Sequence, residues 1–268
     1  MRNKIGVITS TYEGVSLEET LRGISKTGFK YIELVLEPDY FKKEIVSKSG
    51  KIIKKNIDKI LGLCKENKIK VYCIAGHQYM MKENTINSFK KVMDAAKLFG
   101  VNFITTDTGE VNTKCDEKKF YSYIEEIADY AKLKGLTICL EIHGSWCNNG
   151  KKGAEIIETI NNSNIRLNYD TGNVIFYGNR RPEEDIEYAL PYMSFLHLKE
   201  SGSGKFREWN FPALGKGIID FRRIFHLIKK YNGPISVEIE FDGKKRVLKE
   251  INEAVNESYE FLKNFGYV

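Results

Sequence analysis

Short apolar runs alternate along the chain with longer amphipathic stretches. Runs at Ile5 to Ser10, Tyr31 to Leu36, Val71 to Ala75, Asn102 to Thr106, Ile138 to Gly144, Ile165 to Asn173, Ser194 to Glu200 and Ile235 to Phe241 have the length and content of buried strands. Between them lie helical patterns. Ser16-Leu17-Glu18-Glu19 is a capping box that opens a helix ending near Gly28. A second helix is expected over about Lys48 to Asn67, with Ile52, Ile53, Ile57, Ile60, Leu61 and Cys64 spaced as one buried stripe. Others are expected from about Asn84 to Phe99, stopping at Gly100, and from Glu117 to Lys134, stopping at Gly135. The second half continues with Ala154 to Asn161, Glu183 to Tyr192 behind Pro182, Phe221 to Lys230, and Val247 to Phe265. Strand-then-helix alternation implies parallel strands joined by right-handed crossovers. Eight such units without a long interruption predict an α/β protein, a single (β/α)8 TIM barrel over residues 1–268.

Several strand runs carry a costly polar group near their C-terminal ends. Alternation along a strand puts Glu141 and His143 on one face of Ile138-Cys139-Leu140-Glu141-Ile142-His143, opposite Leu140 and Ile142. Asp170, His197 and Glu238 occupy similar places in the last three runs. Barrel active sites lie at the C-terminal face, where all these groups fall. Three carboxylates cannot share one pocket as anions without a cation, because repulsion would force protonation. Glu141, Asp170, His197 and Glu238 offer three oxygen donors and one nitrogen, a set suited to one divalent ion: Mn²⁺, Mg²⁺, Co²⁺ or Zn²⁺.

Composition narrows the classes. The net charge is +6, but the lysines are spread over helix faces and form no basic and aromatic stripe, which argues against a nucleic-acid track. No apolar run is long enough to span a membrane, and the first residues lack the pattern of a signal peptide, so a cytoplasmic protein is expected. The five cysteines contain no Cys-x-x-Cys pair, so neither a disulfide framework nor a zinc knuckle is indicated.

The segments LEIHG, LNYDTGN, FLHLKE, Ala213-Leu214-Gly215-Lys216-Gly217-Ile218-Ile219-Asp220-Phe221 and GPISVEIE resemble those of xylose-isomerase-like TIM barrels, the superfamily of sugar and sugar-phosphate isomerases and epimerases. The resemblance covers nearly the whole chain and implies that Glu141, Asp170, His197 and Glu238 hold one metal, as in ketose 3-epimerases. It also implies that Glu141 and Glu238 act as acid and base on opposite faces of a small sugar or sugar phosphate, and that the protein forms a homo-oligomer. That role agrees with elementary chemistry: a chelated carbonyl stabilises the enediolate left when a neighbouring carbon loses its proton. The chain departs from many relatives at Asn173, where they carry a histidine.

Other substrate-binding candidates are Glu33, His77, His143, Lys199 and Arg207, with Asn173 offering a hydrogen bond to a sugar hydroxyl. Arg180 and Arg181 share with Arg207 the capacity to clamp a phosphate or carboxylate, and Trp146 and Trp209 suit the apolar face of a sugar. Three rival readings are a dehydratase of a cyclic polyol or hydroxy acid, an apurinic-site endonuclease, and a barrel that binds sugar without turning it over. Only four histidines are present, too few for the histidine-rich trinuclear site of the endonucleases.

Overall fold

The computed structural model describes residues 3–36, 44–47, 49–77 and 85–268. Eight strands close into a barrel in sequence order: β1 (Ile5–Ile8), β2 (Tyr31–Val35), β3 (Lys70–Ala75), β4 (Phe103–Thr106), β5 (Thr137–Glu141), β6 (Ile165–Asp170), β7 (Met193–Lys199) and β8 (Ile235–Glu238). Every neighbouring pair is parallel, including β8 with β1. Closure leaves no free sheet edge and brings all eight C-terminal strand ends to one mouth.

The helices are α1 (Leu17–Thr27), α2 (Lys54–Glu66), α3 (Thr85–Leu98), α4 (Lys114–Lys134), α5 (Gly150–Ile160), α6 (Asn173–Gly178), α7 (Pro182–Ala189), α8 (Phe221–Leu227) and α9 (Leu248–Asn264). Ser16 caps α1 through the Glu19 N–H, and Gly28, at φ 109°, ends it in the left-handed conformation that glycine adopts without steric cost.

Several boundaries differ from expectation. α2 starts at Lys54, because Ile52 is drawn into an antiparallel bridge with Val46; the expected starts of α2 at Lys48 and of α3 at Asn84 lie outside the described residues. α4 begins at Lys114 rather than Glu117, since Thr113 and Asp116 form a reciprocal capping box there. α5 begins at Gly150 because the Asn149 side chain accepts the Lys152 N–H at 2.9 Å. α7 and α8 end earlier than expected, at Ala189 and Leu227. β5, β6 and β8 stop at Glu141, Asp170 and Glu238, so the continuations to Gly144, Asn173 and Phe241 are not strand.

Two apolar layers result. Residues such as Ile32, Leu34, Ile138 and Leu140 pack outward against Leu21, Ile24, Phe89 and Ile124 of the helices. Inside the barrel, Tyr72, Cys73, Cys139 and Phe195 form a separate buried cluster with Tyr31 and Phe103 against it. Among the described residues, no helix is long and apolar enough to cross a membrane.

Candidate metal centre and active site

Glu141, Asp170, His197 and Glu238 converge from β5, β6, β7 and β8, with one ligand atom from each lying within 4.8 Å of all the others. Register explains how four separate strands achieve this: Asp170 pairs with His197, and Lys199, two residues on, pairs with Glu238. His197 Nδ1 lies 3.1 Å from Glu238 Oε2, 3.4 Å from Glu141 Oε1 and 3.6 Å from Asp170 Oδ2. Its other ring nitrogen, Nε2, is 2.8 Å from Glu33 Oε2, and Thr105 donates its hydroxyl to the other Glu33 oxygen. With Nε2 engaged by Glu33, Nδ1 is the ring nitrogen that faces the three carboxylates, and, against the opposing effect of burial, the carboxylates around the ring hold its pKa well above the ordinary histidine range.

That arrangement is unsatisfied as it stands. Asp170 Oδ2, His197 Nδ1 and Glu238 Oε2 are buried and have no hydrogen-bond partner among the described residues. Buried acceptors without donors are costly, and a divalent cation supplies what all of them lack. The donor set of three carboxylates and one imidazole therefore fits such an ion.

The remaining contacts hold each ligand in place. Asp170 Oδ1 accepts the Gly172 and Asn173 N–H groups at 2.8 and 2.7 Å, which ties the end of β6 to the start of α6. A Cβ at Gly172 would sit 2.8 Å from Lys199 Cγ, so glycine permits this close approach. Glu141 accepts from Asn173 Nδ2 at 3.0 Å and lies 2.7 Å from His77 Nε2. Lys199 Nζ lies 3.5 Å from Glu238 and 2.5 Å from Glu240.

Electrostatics follow from burial and these pairs. Burial pushes the Asp170 carboxyl up to about 7, against the pull of Lys199 and His197. Burial also opposes ionisation of Glu238, but Lys199 and His197 outweigh it and bring that group down to about 2. Desolvation would lower His77, yet the adjacent Glu141 carboxylate holds it up at about 9. Lys199 likewise resists burial, since Glu238 and Glu240 keep its ammonium charged well above its ordinary range.

Above the cluster, a pocket of about 250 Å³ is walled by His77, His143, Asn173, Tyr177, Lys199 and Trp209, together with Asp107 and Glu240. His143 reaches it by a route other than strand alternation. β5 has ended by then, and His143 sits in a turn closed by its bridge to Cys147, with Nε2 2.9 Å from the Tyr177 hydroxyl. Tyr177 was not anticipated, because nothing in the sequence pattern signalled the short α6 that carries it. Asp107 directly follows β4 and Glu240 lies two residues beyond the end of β8, so both reach the pocket from strand-end loops.

Three expected substrate contacts are corrected. Glu33 is fully buried and engaged with His197 and Thr105, beneath the cluster and not in the pocket wall. Trp146 packs edge-on against Phe120 and Tyr121, with Lys152 over its ring, so it serves the helix shell. Arg207 is exposed and stacks on Phe176 and Tyr177 instead of lining the pocket. Arg181 pairs with Glu183 and the Ile218 carbonyl.

Comparison with known proteins follows the same lines. A protein of Haemophilus influenzae named provisionally as an L-ribulose-5-phosphate 3-epimerase is 22% identical over 94% of both chains. The inosose dehydratase of Serratia proteamaculans is 27% identical over 60% of this chain and 65% of its own. Among solved structures, D-psicose 3-epimerase from Clostridium cellulolyticum H10 superposes with a TM-score of 0.77 at 15% identity, covering 97% of this chain and 98% of its own. The family model of the xylose isomerase-like TIM barrel matches residues 21–265, and the chain belongs to that family.

Proposed function

We propose that this protein is a divalent-metal-dependent isomerase or epimerase of a ketose or ketose phosphate, acting at a carbon beside the carbonyl. The observation that carries the reading is the convergence of Glu141, Asp170, His197 and Glu238 on one point, with unpartnered acceptor atoms facing it. A divalent ion bound there would polarise the substrate carbonyl and stabilise the negative charge that develops when the adjacent C–H bond breaks. The full-length relative named as a ketose-phosphate epimerase supports the substrate class.

Within this reading the protein's own groups divide the proton work. Glu238 is ionised near neutral pH and has as its neighbour Lys199, which keeps its proton, so Glu238 is suited to remove the carbon-bound proton. Glu141 returns a proton on the other face, and His77, protonated near neutral pH and 2.7 Å away, is placed to resupply it. His143, Asn173 and Tyr177 offer hydrogen bonds to hydroxyl groups.

The test is metal analysis of wild type, Glu141→Gln and Asp170→Asn, followed by NMR of deuterium uptake into ketoses, keto-polyols and their phosphates. Near-stoichiometric metal that the variants lose, with exchange at a single carbon, is the expected outcome. Failure of protein supplied with Mn²⁺, Co²⁺ or Zn²⁺ to retain any of them would sink the four-ligand proposal. The dehydratase relative motivates a second reading, in which loss of water from an inosose-type ketone accompanies exchange.

A further inference from the structure

The pocket above the cluster is small, about 250 Å³, against the roughly 300–1,000 Å³ common for ligand sites. Ser10, Val35, Trp209 and Glu240 also wall a second cavity of about 540 Å³, so the two cavities adjoin across these four residues. The far wall of the second cavity is the loop after β8, which contributes three consecutive cations, Lys244, Lys245 and Arg246.

Those cations are not balanced locally. Lys244 and Arg246 share one carboxylate, Asp242, at 3.3 and 2.8 Å, while Lys245 has no ion pair among the described residues. Glu240 is matched by Lys199 at 2.5 Å, which leaves the exposed Glu13 as the other acid of the cavity wall. The loop is built to turn sharply: Phe241 and Gly243 have φ of 53° and 76°, and Arg246 stacks on the Phe241 ring at 5.3 Å. Gly243 lies against Trp209, the residue shared by both cavities. At that junction the Ser10 hydroxyl is buried and lacks a hydrogen-bond partner among the described residues.

We infer that the substrate carries a phosphomonoester, with its carbonyl end at the metal cluster, its chain passing Ser10 and Trp209, and its phosphate on Lys244, Lys245 and Arg246. This rests on the isomerase or epimerase reading and narrows it to phosphorylated open-chain ketoses. Phosphate is favoured over carboxylate because its higher charge and additional acceptor oxygens can engage several cations at once. Phosphate sites in this architecture commonly use the loops that follow the last two strands. Of the arginines in the loops after β6 and β7, Arg181 is engaged by Glu183 and Arg207 by aromatic rings.

The experiment compares metal-loaded wild type with the triple variant Lys244→Ala/Lys245→Ala/Arg246→Ala and with Ser10→Ala. Deuterium exchange is measured on D- and L-ribulose and on their 5-phosphates, and binding of ribitol and ribitol 5-phosphate by calorimetry. Wild type is expected to favour the phosphate by about a hundredfold or more in kcat/KM, with the ratio collapsing toward unity in the triple variant and falling less in Ser10→Ala. Equal use of free and phosphorylated ketose by wild type, or an unchanged ratio in the triple variant, would overturn the inference. A ketose acid that outcompetes the phosphate would overturn it in favour of a carboxylate. Absence of exchange with any ketose, together with tight ribitol 5-phosphate binding that the triple variant loses, would uphold the phosphate site while removing the epimerase reading.

Discussion

The inside of the barrel divides into two layers built from the same strands and opposite chemistry. In the lower layer, Tyr72, Cys73, Cys139 and Phe195 fill the space with apolar contacts and aromatic packing. In the upper layer, Glu33, Glu141, Asp170, His197, Lys199 and Glu238 are equally shielded from water but are all ionisable side chains. The hydroxyl of Tyr72 in the lower layer is satisfied by the folded chain alone, through the Ile235 carbonyl and Ser236. The upper layer is not, since buried acceptors on three of its residues have no partner among the described residues. The contrast shows which part of the interior serves stability and which holds its groups ready for something added from outside.

The strongest way to break the contrast is to remove a ligand. Asp170→Asn is expected to lower metal occupancy and turnover by at least about a thousandfold, read by metal analysis and deuterium exchange. The same substitution should not weaken the metal-free fold at neutral pH. Asp170 is raised from 3.8 to about 7, so its contribution to stability is present below 3.8 and is lost as pH rises through 7. Metal-free wild type should therefore lose Tm relative to Asp170→Asn over that window, and a constant difference would contradict the assignment.

Phe195→Ala tests the lower layer, where it is expected to cost about 3–5 kcal/mol in denaturant unfolding while metal stoichiometry of the folded protein is retained. Between the layers sits Glu33, which faces the cluster only through His197. Glu33→Gln should weaken metal affinity by about 10- to 100-fold in a competition titration, with fold and pocket intact. The mildest perturbation is pH itself. Protons compete with the cation for Asp170 and, from a higher pH because, against burial, its carboxylate neighbours raise it, for His197, so affinity should fall on acidification and most steeply below about 7, by up to about tenfold per unit for each proton displaced. Affinity that rises on acidification would exclude these groups as ligands.

The four converging residues stood out early because each interrupts an apolar run with a group too costly to bury alone. Glu33 carried the same signal and was assigned to substrate. Its true neighbours, His197 and Thr105, come from β7 and β4, and no spacing in the chain states that they meet. Tyr177 escaped notice because a helix of six residues has too few turns for an apolar stripe. Trp146 misled for the opposite reason: its position after β5 is right for the mouth, but neighbouring α4 offers Phe120 and Tyr121 for its ring to pack on.

Alternation of short apolar runs with amphipathic helices was enough to specify the barrel, because period and length are local properties of the chain. It also placed Glu141, Asp170, His197 and Glu238 at strand ends facing one mouth. Whether an imidazole presents Nδ1 or Nε2, which cavities adjoin, and which cations remain unmatched depend on bringing together residues as far apart in the chain as Glu33 and His197, which pair, or Ser10 and Glu240, which wall the same cavities. Those relations belong to barrel closure and loop packing, which bring distant segments within hydrogen-bond range, and only the tertiary structure decided them.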